Sequence, residues 1–569
     1  MKKGDFLWAA ILLAFTAFVV VPATHVIFVD FTGAHPYIGG FIKFGLLATM
    51  GEMLVVRLST KAWKKAPGFI WRVLIWGFLG MAITLIFTIF SGGVMSALDK
   101  GMLVGKGNQF AFASELKSLI QHPLIGKNLS TDSEAVALYL HLGYIPSPFS
   151  VYKQIRKFPQ GSAGVFSKGK LTIKSWWKPE EHILKDLITD EQEAEERFEM
   201  LLNDSVKMRL ASDVSNGTFL SGGIDSSIIT AIAQSQCNGT LNTFSIGFKN
   251  NEHNEAPFAR KISEQLGTKH HEFILEEQDA LNLLPELNDI YDEPFADSSA
   301  IPSLLVSKMA KQHVNMALTG DGGDELFFGY GAYQWANRLS NPFSRMLKTP
   351  AALLLKAGSS RMERASWLFE YDSNNNLRSH IFSQEQHLFS EKEVMNIFMG
   401  SVHNHELTDY EKDIVSRRLS PAELQALFDL KYCLPDDLLV KMDRASMHFS
   451  LETRAPLLDR RIIKFALNLS PDLKIKNGQS KYLLKKVLFK HIPKKLFQRP
   501  KWGFGIPLGQ WMRTSMKTYI DDHLHSDKLA AYLPVKVDDI PAVRKWKAGN
   551  DLYFNRVWQL VVLSRFLQK

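Results

Sequence analysis

Thr218-Phe219-Leu220-Ser221-Gly222-Gly223-Ile224-Asp225-Ser226-Ser227 joins the end of an apolar strand to a Ser-Gly-Gly turn, and the apolar run Ile228-Ile229-Thr230-Ala231-Ile232 follows at once. The order is strand, glycine turn, helix N-terminus. Gly222 and Gly223 tolerate positive φ and let backbone approach a ligand closely, while the N–H groups and dipole of a helix start converge on one point, which suits an anion. Asp225 sits inside this cradle, and a carboxylate beside bound phosphates is most simply a Mg²⁺ ligand. The stretch therefore reads as a pyrophosphate-gripping loop, with an ordinary tight turn as the competing reading. A Walker loop is excluded, since that needs a longer glycine spacing and a Lys followed by Ser or Thr.

Working outward, Glu191 to Leu210 has helical apolar spacing at Ala194, Phe198, Leu201, Leu202 and Val206. Beyond the loop the pattern predicts strand Leu241–Gly247, helix Glu255–Leu266, strand His271–Leu275, a helix near Ser298–Gln312 and strand Val314–Leu318. Strands alternating with helices predict an α/β fold with a parallel, doubly wound sheet. Ligands in such sheets bind beyond the carboxyl ends of the strands. At one such end lies Phe244-Ser245-Ile246-Gly247-Phe248, where the backbone of Ile246 could meet an adenine edge, with a plain buried strand as the competing reading. At another stands Thr319-Gly320-Asp321-Gly322-Gly323-Asp324-Glu325-Leu326-Phe327-Phe328-Gly329-Tyr330. Glycines and acids crowded directly after a strand make a poor purely structural choice, because the carboxylates repel; a cation or a reacting centre offsets that repulsion.

Ser221–Ser227 together with Gly320–Tyr330 resembles the synthetase domain of the glutamine-dependent asparagine synthetases, a branch of the pyrophosphate-loop ATPases with the adenine-nucleotide alpha-hydrolase type of sheet. Phe112-Ala113-Ser114-Glu115-Leu116-Lys117, Phe158-Pro159-Gln160-Gly161 and Trp176-Trp177 resemble the closing part of that family's N-terminal-nucleophile glutaminase domain. The organisation expected is a membrane segment over 1–100, an α+β glutaminase remnant over 107–178 and a synthetase (ATP pyrophosphatase) domain over 190–569 with a helical C-terminal region. Within the remnant, Gln109–Ala113 alternates like a strand, Ser133–Tyr144 has helical spacing, and a Ser-Lys-Gly turn sits between hairpin strands.

In the C-terminal region, Leu438–Met447 carries Lys441 and Arg444, which resemble the family's basic positions at the ATP site. A buried ion-pair network that merely positions helices is the alternative there. Lys481, on an amphipathic helix, resembles the lysine that steadies the acyl-adenylate and departing pyrophosphate. Arg499–Pro507 resembles the segment that closes over the site.

The resemblance implies a carbon–nitrogen ligase: the side-chain carboxylate of aspartate attacks the α-phosphorus of ATP, giving β-aspartyl-AMP and pyrophosphate, and ammonia displaces AMP. It implies that Ser221, Gly222, Gly223 and Ser226 hold pyrophosphate, that Asp225 and Asp324 bind Mg²⁺, and that Lys481 neutralises developing charge. Asp321 stands at the position associated with forming the adenylate, while Leu220, Ile246, Thr319 and Gly320 border the nucleotide, with Lys441 beside it. Glu293 is a candidate for the amino-acid end of the substrate. Family members carry a cysteine directly after the initiator methionine; here position 2 is Lys, and the two cysteines, Cys237 and Cys433, lie far along the chain. Ammonia rather than glutamine is therefore the expected nitrogen source. A different carboxylate, as in amidation during cell-envelope polysaccharide assembly, stays open, as do a non-functional fusion joined near residues 99–106 and a homodimer.

The two cysteines have no metal-type spacing and indicate neither a disulfide framework nor a zinc site. A formal charge of +9 suggests nucleic acid, but the first hundred residues hold nine Lys or Arg against four Asp or Glu, more than half of the excess. Nucleic acid is therefore not an expected partner. Phe6–Val29 and Val73–Leu98 lack charged residues, and Tyr37–Val56 contains only Lys43 and Glu52, so up to three helices spanning a bilayer are expected. Three full spans conflict with ATP chemistry in the cytoplasm, because the basic cluster Arg57, Lys61, Lys64, Lys65 and Arg72 would lie inside and the synthetase outside. The synthetase domain is accordingly expected in the cytoplasm, tethered to the membrane through residues 6–98.

Overall fold

The computed structural model describes all residues except 1–2, 22–23, 25–27, 29–31, 33–34, 62, 64–68, 80, 82–109, 249–253, 372–375, 404–406, 499–504 and 569. Two compact units divide the chain: residues 1–111 with 166–171, and residues 112–165 with 172–569.

In the first unit, α1 (Lys3–Val20) and α2 (Pro36–Thr60) are followed by a further helical stretch, 69–79. Among the described residues no helix is long and apolar enough to cross a membrane, so the crossings expected from composition are not found. The reasons lie in the chain. α1 opens with Lys3 and Asp5, α2 carries Lys43, Glu52 and Arg57, and residues 82–98 of the third stretch lie outside the described residues, as does the junction at 99–106.

In the second unit, after short helical turns at Leu116–Ile120 and Pro123–Gly126, comes α3 (Ser133–Leu142), whose start is capped by the Asp132 carboxylate accepting from the Glu134 N–H at 3.1 Å and whose end turns through Gly143 at φ 85°. β1 (Ser162–Ser167) and β2 (Lys170–Ser175) form the two-stranded hairpin around Lys168-Gly169. Residues 110–113 form no strand, and Gln109 lies outside the described residues. α4 (Glu191–Leu210) begins where Asp190 accepts from the Glu193 N–H at 2.7 Å.

Next come β3 (Asn216–Phe219), α5 (Ile224–Gln236), β4 (Asn242–Phe248), α6 (Ala256–Leu266), β5 (Lys269–Leu275), α7 (Ala300–Lys311), β6 (Met316–Leu318), α8 (Leu439–His448), β7 (Glu452–Arg454) and α9 (Tyr482–His491). The sheet order is β5-β4-β3-β6-β7 with every pairing parallel. Gly217 at its centre faces Asn242 on one side and Ala317 on the other. Side chains alternate across it: Met316 and Leu318 pack with Phe198 and Ile232, whereas Ala317 joins Phe244, Ile246 and Leu304 in a second core. Apolar layers on both faces are what a parallel sheet requires.

This topology positions the site. β3 and β6 are neighbours, so the Ser-Gly-Gly loop after β3 and the Thr319 loop after β6 emerge side by side from the same edge. β7 was not expected from sequence, because three residues with two charges give no strand signal.

Candidate functional site

The two loops touch through backbone. A Cβ on Gly320 would stand 2.7 Å from the Ser226 nitrogen, and one on Gly323 would overlap the Asp225 carboxyl group. Only glycine allows that approach. Ser221 Oγ and Ser226 Oγ lie 3.0 Å apart at the start of α5, and the Gly223 N–H donates to Ser221 Oγ at 3.3 Å.

Asp225, in the first turn of α5, and Asp324, in the second loop, converge on one ammonium. Lys481 Nζ donates to Asp225 and lies 2.7 Å from Asp324 Oδ1. Lys481 is buried, caps α9 at φ 55°, and its N–H donates to the Phe327 carbonyl at 3.1 Å. Burial works against its charge, but Asp225 and Asp324 more than compensate and raise its pKa. A left-handed backbone at a non-glycine residue is strained, and strain of that kind collects at functional sites.

Lys441 on α8 reaches the same cavity. Its ammonium donates to Asp297 and to Ser299 Oγ, both at 2.8 Å. Burial again opposes the charge, while Asp297 and Asp437 hold the pKa up. Ahead of α8 runs a π-helical stretch, Asp429–Leu438, with Pro435 inside it. It turns Asp429, Cys433 and Asp437 toward the cavity, and such wide turns collect at functional sites. Burial raises the carboxyls of Asp429 and Asp437 well above the usual range. Asp321 is raised too, by burial, against the pull of the Thr319 hydroxyl, which donates to it at 2.7 Å, and of Lys441. Glu325 is pushed up to about 7 by burial and then by Asp324, although the Tyr330 hydroxyl donates to it at 2.7 Å.

The cavity so formed measures about 780 Å³. Leu220, Ser221, Gly222, Gly223, Asp225 and Ser226 line it from the first loop, Thr319, Gly320, Asp321 and Asp324 from the second, and Ile246, Lys441 and Lys481 from the remaining walls.

Three expectations fare differently. Glu293 faces away, accepting from the Val151 N–H at 2.7 Å and pairing with Lys157 at 2.9 Å, because the turn after Asp292 directs it at the remnant. Arg444, one turn beyond Lys441, pairs with Glu115. Residues 499–504 of the closing segment lie outside the described residues, and Gly505 borders the cavity. Asp297 and Ser299 were missed. Asp297-Ser298-Ser299 before a helix resembles an ordinary capping sequence, and its role shows only when Lys441 is seen against it.

Both expected ligands suit the donor chemistry. Two carboxylates aimed at one point, already holding a cation, are the hard oxygens that Mg²⁺ takes together with phosphate oxygens and water. Among the described residues no group of three or more His, Cys, Asp or Glu could hold a metal, so the nucleotide would have to complete the shell. The start of α5, with its two facing hydroxyls, suits a pyrophosphate.

Comparison with known proteins gives the chain a family. The family described as Asparagine synthase matches residues 197–568, well over half of the chain. The chain belongs to the asparagine synthase family. A glutamine amidotransferase domain matches residues 100–177. The glutamine-hydrolysing asparagine synthetase 1 of Bacillus subtilis is 30% identical over 437 residues, covering 75% of this chain and 67% of the relative. Asparagine synthetase 3 of the same organism is 26% identical over 446 residues, covering 74% and 66%. Asparagine synthetase B of Escherichia coli is 31% identical over 199 residues, covering 32% and 34%. The chain thus spans about two thirds or less of these relatives. As a member of the asparagine synthase family, the chain carries the synthetase region of a carbon–nitrogen ligase.

Proposed function

We propose that this chain adenylates the side-chain carboxylate of aspartate and passes it to ammonia, giving asparagine, AMP and pyrophosphate. The observation that carries the reading is the single ammonium of Lys481 held between Asp225 and Asp324, where the two glycine loops meet. A carboxylate oxygen attacks the α-phosphorus of ATP and the bond to the bridging oxygen breaks. Ser221, Ser226 and the start of α5 receive the leaving pyrophosphate, and Lys481 offsets its charge. Mg²⁺, held by Asp225 and Asp324 with the nucleotide, would neutralise phosphate charge. Asp321, fixed by Thr319, faces the reacting carboxylate, and Lys441 offsets charge on the far side. Ammonia then attacks the acyl carbon and AMP leaves.

Ammonia as nitrogen donor is supported by the state of the two thiols. Glutaminase chemistry by thiolate attack needs an accessible thiol with a lowered pKa. Cys433 is buried and pushed well above its ordinary range by burial, and burial also raises Cys237. A second reading, amidation of a larger carboxylate, is favoured by the reach of the cavity past Tyr330 to Glu385, Gln386 and Asn555.

Pyrophosphate release with ATP, Mg²⁺ and aspartate tests all of this. Turnover is expected with ammonium and not with glutamine. Equal turnover with glutamine overturns the nitrogen source. Absence of turnover with aspartate, but not with other carboxylates, replaces the substrate.

A further inference from the structure

The first unit is built the wrong way round for water. Its two described acids are satisfied from within: Asp5 accepts from Arg57 Nε and Trp63 Nε1, both at 2.8 Å, and Glu52 accepts from Arg72 and Trp76, both at 2.9 Å. Trp8 Nε1 donates to the Met50 carbonyl at 3.0 Å, and Thr49 is buried. Many of its large apolar side chains face outward. Leu13, Val55, Leu58, Ile70, Trp71 and Ile75 are each between 63 and 72% exposed. On α2, Ile38 and Ile42 share one face while Leu47, Val55 and Leu58 fall on the other side at helical spacing, so the apolar exposure surrounds the helix instead of forming one patch.

A protein partner covers a patch with a polar rim. Apolar exposure on opposite faces, with acids and indole N–H groups paired internally, matches a surrounding medium that accepts no hydrogen bonds. We propose that the outer surface of this unit is immersed in the apolar layer of a phospholipid membrane. The headgroup side is marked by the basic residues Arg57, Lys61 and Arg72, whose charge complements anionic lipid, and by Trp63 and Trp71 between them.

The test uses the full chain with phosphatidylcholine vesicles containing a minority of phosphatidylglycerol. The chain should float with the vesicles, resist a high-salt and alkaline carbonate wash, and come off in detergent. A triple variant, Leu13→Asp, Val55→Asp and Ile75→Asp, should lower vesicle partitioning by about tenfold or more, while ATP binding by the second unit is unchanged. Release by salt alone overturns the proposal, because it shows only electrostatic adhesion. So does a detergent-free oligomer that does not float, which would mean a second copy covers the apolar face, and so does unchanged flotation of the variant. Since ATP binding is read separately, failure here is distinct from failure of the synthetase reading.

Discussion

Lys481 Nζ lies 2.7 Å from Asp324 Oδ1 while also donating to Asp225, so one buried cation joins the pyrophosphate loop to the acidic loop across the β3–β6 edge. Replacing it by methionine removes charge where the leaving group develops it and leaves two carboxylates facing each other. Lys481→Met is expected to lower kcat/KM for pyrophosphate release by roughly 10²–10³, the size seen when one transition-state contact is deleted. Its melting temperature without Mg²⁺ should fall, and Mg²⁺ with ATP should restore more of it than in the parent. Unchanged kcat/KM would remove Lys481 from the chemistry.

Gly323 tests the closeness of the two loops independently of charge. A methyl group there overlaps the Asp225 carboxyl, and overpacking of this kind costs about 1–3 kcal/mol. Gly323→Ala should lower the denaturation midpoint and weaken ATP binding together, read by chemical denaturation and by calorimetric titration. Normal ATP affinity in this variant would mean that the loops separate freely.

How legible this was from sequence differs by element. The glycine loops could be read because glycine spacing and acid crowding are local properties, and both sit directly after apolar strands. β3 to β6 were legible within a few residues for the same reason. Contacts between residues far apart in the chain were not: Lys441 meets Asp297 across 144 positions, and no local pattern announces that. Glu293, four residues before Asp297, drew attention instead, although its carboxylate is spent on Val151 and Lys157. The crossings suggested by the apolar stretches before residue 82 are not found among the described residues, and the pairing of Asp5 with Arg57 and of Glu52 with Arg72, 52 and 20 positions apart, has no local signature either.

Asp297 holds Lys441 charged and in place, and the charge on Lys441 in turn lowers the Asp297 carboxyl against the effect of burial. Asp297→Asn keeps the shape and removes the countercharge. The expected outcome is a drop in kcat of about tenfold or more, with smaller change in the KM for ATP, since the charge-assisted bond positions the ammonium and does not bind nucleotide itself. Steady-state kinetics with varied ATP checks this. A rise in KM alone would make Asp297 part of the nucleotide pocket.

Glu325 gives the second unit a pH dependence of definite sign. Its carboxyl has an ordinary value of 4.5 and is pushed up to about 7 in the folded chain by burial and by Asp324. Below 4.5 the group is protonated in folded and unfolded chains alike, and its contribution to stability is fully present. As pH rises toward 7 the unfolded chain releases the proton while the folded chain keeps it, so stability is lost across that window, by roughly 3 kcal/mol in all. Above 7 both forms are ionised and the loss levels off. Glu325→Gln cannot titrate and should lack this decline. Denaturation midpoints of parent and variant measured between pH 4.5 and 7 should therefore diverge with rising pH, the parent falling relative to the variant. Parallel curves would show that Glu325 ionises near its ordinary value and that the acidic loop is wetter than its packing against Tyr330 implies.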